Sequence, residues 1–328
     1  MLIQSPQKNK KIGSKEPQNR QNFGDARGLK SNLISIADLV KEDLHLVIQT
    51  AAELNVAPHS DLFKGLILAN CFFEPSTRTR LSFETAMIRG GGSTIGFSGV
   101  EGISIKKEES LSDTIRTIGS YADVIVIRHP QEGAAREAAN ATSKPVINAG
   151  DGANQHPTQA LIDLYSIQTC QNRLDSLHIA IVGDLKFGRT VHSLCQALAH
   201  FNARLYFVSP ESLALPEPLA DELKKQGVQF SYHSHFKDVL PKIDIFYMTR
   251  MQKERFSSEE VFTSTPWRLQ KEHLERVKPN FRILHPMPRV DEIDREIDAT
   301  PYAYYFQQAA HGTLVRMALL GLMLGRLP

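Results

Sequence analysis

Residues 72–80 read Phe72-Phe73-Glu74-Pro75-Ser76-Thr77-Arg78-Thr79-Arg80, directly after the apolar run Leu66-Ile67-Leu68 and ahead of Leu81, Thr85 and Ile88 at helical spacing. An apolar strand that stops at a proline and opens a helix with Ser, Thr, Arg and Thr turns unsatisfied backbone N–H groups, hydroxyls and a guanidinium toward one point. Such a point suits a phosphate. A plain N-capped helix with surface arginines would use some of the same residues, but hydroxyl and guanidinium groups crowded into a single turn favour an anion site.

Outward from this stretch, short apolar runs alternate with helical periodicity, as in parallel α/β folds. In the first half, residues 66–73, 94–97, 124–127 and 145–148 read as strands. Between and after them, Leu111, Ile115 and Ile118 recur at helical spacing, and a helix opens at Pro157 and continues through Ala160, Leu161 and Leu164. The second half repeats the scheme with strands at 178–182, 204–208, 243–248 and 282–284. The strands end in polar residues: Glu74 onward, Arg128-His129, Ala149-Gly150-Asp151, Gly183-Asp184, Thr249-Arg250 and His285-Pro286. Ligands of open parallel sheets sit outside those carboxyl ends, so two half-sites face each other and imply a two-substrate enzyme that closes.

At 328 residues the chain exceeds what one core usually serves, which calls for two domains. The division falls in the polar stretch around 170–175 and gives domains at 31–171 and 172–304, with a final apolar helix over 305–328. Residues 1–30 carry seven Lys/Arg against Glu16 and Asp25, while the remainder has 31 basic and 34 acidic residues. That tail, rich in Lys, Gln, Asn and Ser, cannot offset its ordering entropy by burial and is expected to be disordered. The body has no basic surplus to attract nucleic acid. No apolar run approaches the ~20 residues a membrane span needs, and the tail lacks the features of a secretory signal. Cys71, Cys170 and Cys195 are too few and scattered for a disulfide scaffold or a zinc site, which fits a reducing, cytoplasmic setting.

Residues 183–190, Gly-Asp-Leu-Lys-Phe-Gly-Arg-Thr, nearly fit the nucleotide P-loop spacing after a strand, with Arg189 in the lysine position. A planar guanidinium does not replace a compact ammonium between phosphates. A P-loop-like nucleotide-binding protein is therefore the weaker alternative, and a dinucleotide fold is weaker still because no Gly-x-Gly-x-x-Gly follows this strand.

Phe-Glu-Pro-Ser-Thr-Arg-Thr-Arg resembles the carbamoyl-phosphate signature of the aspartate/ornithine carbamoyltransferase family. Residues 128–136, 148–151, 155–159, 247–255 and 285–289 resemble its aspartate-using branch, in order, from about Leu33 to the C-terminus. The resemblance implies two doubly wound parallel-sheet α/β domains, a carbamoyl-phosphate lobe and an aspartate lobe, with the C-terminal helix returning to the first. It implies no cofactor and no metal. By the same resemblance Ser76, Thr77, Arg78 and Thr79 hold the phosphate, and Thr79, Arg128 and His156 surround the carbamoyl oxygen. Gln159 takes the carbamoyl NH₂, and Met287 and Pro288 present backbone carbonyls. L-Aspartate would meet Arg189 through its α-carboxylate and Arg250 through its β-carboxylate, with Gln252 steadying Arg250. His129 reads better as a structural histidine at a strand end, and His285 could likewise be structural.

In the family a Ser and a Lys from a mobile loop enter the neighbouring subunit's site, so Ser104 and Lys107 are the candidates, and the assembly implied is a homotrimer with shared active sites. Glu108 departs from the Gly usual after that Lys and puts the loop's geometry in doubt. The segments 129–136 and 306–309 resemble the type whose catalytic trimers join a zinc-bearing regulatory chain, although a free trimer accommodates the same residues. Ornithine carbamoyltransferase is the nearest alternative: that branch places Cys after the His where Pro286 stands here, and a site offering Arg189, Arg250 and Lys107 repels a cationic side chain. A catalytically silent homologue is disfavoured because every expected polar residue is present.

Overall fold

The computed structural model describes residues 32–99, 109–250 and 267–328. The basic tail, Ser104, Lys107, Glu108 and Gln252 lie outside them. The apolar runs form two separate parallel sheets joined by α5 (Pro157–Gln171).

The first sheet has the order β2 (Ser93–Ser98), β1 (Ile67–Phe72), β3 (Val124–His129), β4 (Val146–Asp151), every pairing parallel. Around it stand α1 (Lys41–Val56), α2 (Thr77–Arg89), α3 (Leu111–Gly119) and α4 (Ala134–Ala141). The second sheet runs β7 (Gln229–His233), β6 (Arg204–Val208), β5 (His178–Val182), β8 (Ile245–Met248), β9 (Arg282–Leu284), again parallel throughout. It carries α6 (Arg189–Leu198) and α7 (Glu217–Lys225). In each sheet the chain leaves a central strand in both directions, at β1/β3 and at β5/β8, and such switch points open a crevice beyond the strand ends.

The last helix, α8 (Tyr305–Met323), packs on α1, α2 and α5, so the C-terminus completes the first lobe as the family resemblance implied. Ten of the fifteen residues of α5 are buried, because it lies between α1, α6 and α8. Proline at its first position and Asn172 in the left-handed region at its end set its length. No helix among the described residues is long and apolar enough to cross a membrane.

Two features go beyond the apolar patterning of the sequence. The helix expected from Leu81, Thr85 and Ile88 is present as α2, yet its buried face is Thr79, Phe83, Ala86 and Met87, while Leu81 and Ile88 are 54% and 59% exposed. The second sheet also has a strand, β7, that apolar patterning did not reveal. It is a half-exposed edge of sequence Gln-Phe-Ser-Tyr-His, and a strand covered on one face needs no continuous apolar run. Because α2 positions the candidate phosphate turn, its anchor tests the arrangement: Phe83→Ala should cost about 3–5 kcal/mol in denaturant unfolding, the cost of emptying a fully buried aromatic site.

Candidate active site

The strand ends of both sheets enclose a cavity of about 470 Å³. Its lining includes Ser76, Thr77, Arg78, Thr79, Arg128, His156, Gln159, Arg189, Arg250, Met287 and Pro288, which brings together every sequence-predicted site residue that the structure describes. Five arginines line it, Arg78, Arg128, Arg189, Arg250 and Arg316, and among the described residues no Asp or Glu does. Ser76 is extended at the N-cap of α2 and makes no side-chain capping bond. The first N–H groups of a helix have no intrahelical partners, so this end of α2 adds a partial positive charge to the arginine-lined wall.

Crowded cations need anchors. Glu74 supplies one, accepting from Arg128 Nε at 3.1 Å and from Arg189 Nη2 at 3.2 Å, so one carboxylate on the first lobe braces guanidinium groups from both. Arg189 also donates from Nη1 to the Gly152 carbonyl at 2.7 Å. Gly150 lets it lie there: at φ +119°, a Cβ on residue 150 would stand 3.0 Å from the Arg189 Cζ. Gly183, also at φ +119°, brings the end of β5 against the Thr249 carbonyl just before Arg250. Burial, and then the neighbouring Arg189 cation, lower Arg128 to about 10 against the pull of Glu74, which leaves it charged at neutral pH. Burial likewise lowers Arg78.

His156 caps α5 at the cavity wall, and its backbone N–H donates to the Ser193 hydroxyl at 2.9 Å. Burial, followed by the Arg189 and Arg128 cations, holds the imidazole well below its ordinary 6.5, so it is neutral at physiological pH. Its Nδ1 has no partner among the described residues, and the fold therefore leaves hydrogen-bonding capacity on the ring. His285 behaves differently. It is buried, with Nε2 2.6 Å from Glu292 Oε1 and Nδ1 accepting from the Met287 N–H at 2.8 Å, and it thereby shapes the loop at Met287 and Pro288. At His129, Nδ1 accepts the Gln131 N–H and the ring meets the edge of Phe73. Both match the structural reading.

Behind the wall, Asp163 accepts hydrogen bonds from Gln159, Gln308 and Tyr247. Arg316 lies within α8, its guanidinium carbon 4.9 Å from the centre of the Phe83 ring. Sequence reasoning missed the roles of Glu74, Asp163, Tyr247, Gln308 and Arg316. A signal existed for some of them: Glu74 and Gln308 fall inside motifs singled out above, and Arg316 is the one charged residue of α8.

The family model for the carbamoyl-P binding domain of aspartate/ornithine carbamoyltransferases matches residues 31–169, and that for the Asp/Orn binding domain matches 175–323. The chain is 54% identical over 299 residues to an aspartate carbamoyltransferase catalytic subunit of Vibrio campbellii, covering 90% of this chain and 97% of that one. The catalytic subunit of M. jannaschii aspartate transcarbamoylase superposes with a TM-score of 0.83 at 47% identity, over 90% of this chain and 98% of that one. Aspartate transcarbamoylase from Trypanosoma cruzi in complex with carbamoyl phosphate and aspartate gives 0.84 at 37% identity, over 88% and 95%.

The neutral state of His156 has a consequence for stability. Unfolding returns the ring to a solvated 6.5, so the unfolded chain binds more protons below that value, and stability that is complete above it is lost as pH falls through it. His192, His285 and His311 act in the same direction. Thermal unfolding at about pH 7.5 and about pH 5.5 should show a lower midpoint in acid, and His156→Gln should narrow that drop.

Proposed function

The chain belongs to the aspartate/ornithine carbamoyltransferase family, and from that premise we propose that it transfers the carbamoyl group of carbamoyl phosphate to the α-amino group of L-aspartate. The products are N-carbamoyl-L-aspartate and phosphate, and the reaction serves pyrimidine biosynthesis leading to UMP. The observation that carries this reading is a cavity with five guanidinium groups and, among the described residues, no lining carboxylate, its arginines drawn from both lobes. It suits two anions held face to face.

The deprotonated amine attacks the carbamoyl carbon, the new C–N bond forms, the C–O bond to phosphate breaks, and the departing phosphate takes up the proton that the amine loses. An amine is already a good nucleophile and phosphate a good leaving group, so approximation and charge stabilisation supply the catalysis. Ser76, Thr77, Arg78 and Thr79 hold the phosphate on the helix terminus. Thr79, Arg128 and neutral His156 stabilise the oxyanion that develops on the carbamoyl oxygen. Gln159 takes the carbamoyl NH₂ with the backbone carbonyls of Met287 and Pro288. Arg189 receives the α-carboxylate and Arg250 the β-carboxylate, geometries that planar guanidinium groups match. In this division, residues 31–171 with the helix over 305–328 bind carbamoyl phosphate and residues 172–304 bind aspartate. Gln252 and Lys107 complete the aspartate site.

The functional assembly is a homotrimer in the cytoplasm, with Ser104 and Lys107 reaching a neighbouring subunit's site. Exposed Leu81, Ile88 and Ile95 on α2 and the edge strand β2 support association through that face. Relatives named catalytic subunits favour a separate regulatory chain, zinc-bearing by family resemblance, over a free trimer.

Carbamoyl transfer assayed with aspartate and with ornithine tests the reading: turnover of aspartate alone is expected, and turnover of ornithine alone refutes it. Arg250→Ala should raise the aspartate KM about 100-fold, the cost of losing a charge-assisted bidentate contact, while carbamoyl phosphate binding stays unchanged. Mixing inactive Lys107→Ala with inactive Arg78→Ala chains should restore activity, because some mixed trimers then contain one site built entirely from intact contributions. No recovery on mixing argues against shared sites.

A further inference from the structure

Asp163 is fully buried in the middle of α5, one turn beyond Gln159, and takes no direct part in the chemistry set out above. Its Oδ1 accepts from Gln159 Nε2 at 2.8 Å and from Gln308 Nε2 at 2.7 Å, and its Oδ2 accepts from the Tyr247 hydroxyl at 2.8 Å. These donors come from α5, α8 and β8, so the carboxylate is held from both lobes. Gln308 is fixed at its other end as well, since its Oε1 accepts the His285 N–H at 2.8 Å.

A side-chain amide has one donating and one accepting end. Because Asp163 Oδ1 accepts from Gln159, the Nε2 of Gln159 is committed to the interior and its Oε1 is the end left for the cavity that Gln159 lines. The arrangement survives protonation. A proton on Oδ2 would be donated to the Tyr247 oxygen, and Oδ1 would still accept from both glutamines.

We propose that Asp163 is a specificity-determining positioning residue: by accepting from Gln159 Nε2 it turns the Gln159 carbonyl oxygen toward the cavity, so that the site selects acyl phosphates bearing an N–H donor over those bearing a methyl group. The inference rests on the carbamoyltransferase reading and deepens it. A flipped amide would offer the substrate NH₂ another donor, whereas the fixed carbonyl pairs with the carbamoyl NH₂ and leaves the methyl of an acetyl group unmatched.

The test compares the binding of carbamoyl phosphate, acetyl phosphate and inorganic phosphate to the wild-type assembly and to Asp163→Ala and Asp163→Asn. Asp163→Ala should weaken carbamoyl phosphate about tenfold, the order of one well-placed hydrogen bond, and should shift acetyl phosphate and phosphate by less than about twofold. Asp163→Asn, whose amide oxygen can replace Oδ1 while its NH₂ donates to Tyr247, should restore most of the preference. Equal weakening of all three ligands, no change in any, or an asparagine variant as poor as alanine would each overturn the proposal. Should Asp163→Ala fail to fold, Asp163→Ser, too short to reach both glutamines, should show the same selective pattern at about threefold, and its absence counts equally against the idea. Wild-type turnover of carbamoyl phosphate with aspartate is the control: without it the functional reading fails, and with it an unselective Asp163 variant fails the inference alone.

Discussion

Like charges gathered in a partly buried cavity repel one another strongly, since the surrounding dielectric screens them less than water does. The structure depends on resolving that repulsion without neutralising the site. Glu74 does so at the junction of the lobes: placed behind Arg128 and Arg189 and not among the lining groups, it holds two guanidinium groups that would otherwise drive the lobes apart. The Gly152 carbonyl takes a further N–H of Arg189, and the open backbone at Gly150 gives it room. What remains facing the cavity is positive potential already oriented before an anion arrives, which is what electrostatic preorganisation requires.

A second set of contacts fixes how the lobes register. Ser193 on α6 accepts from the His156 backbone N–H and donates a hydrogen bond to Gln155 Oε1, while Gln155 Nε2 donates to Gln196 on α6. Tyr247 on β8 reaches Asp163 on α5. Each of these bonds joins a residue beside the first-lobe half-site to an element of the second sheet. Arg189 opens α6, so the helix that supports the imidazole also presents the guanidinium expected to meet aspartate. Position of one substrate site is thus tied to the other through side-chain hydrogen bonds that cross between the lobes.

Much of this was legible from residues alone, because strand ends in parallel sheets combine an apolar run with an abrupt change to polar residues. Arg128, Arg250 and the turn at 76–79 stand at such transitions, His156 and Arg189 open the helices that follow two of them, and all line the cavity. What stayed hidden depends on tertiary neighbours. Leu81 and Ile88 fit a helical period as well as Phe83 and Met87 do, and only packing against the sheet and α8 selects the second pair. β7 escaped because an edge strand can carry Gln, Ser and His. Asp163 sits in a helix so thoroughly covered that a lone acid reads as a solvent-facing position, when its environment is three hydrogen-bond donors from two lobes.

The return of α8 to the first lobe has a consequence for how the molecule is made. During synthesis the strand, turn and helix around Ser76 leave the ribosome before the second sheet, yet the helix that covers them, with Arg316 donating to Ser82 and to Thr158, follows that sheet. The nascent phosphate lobe therefore waits, one flank bare, until the aspartate lobe has been translated. Damage to this helix would be felt in the pocket around Ser76, far earlier in the chain.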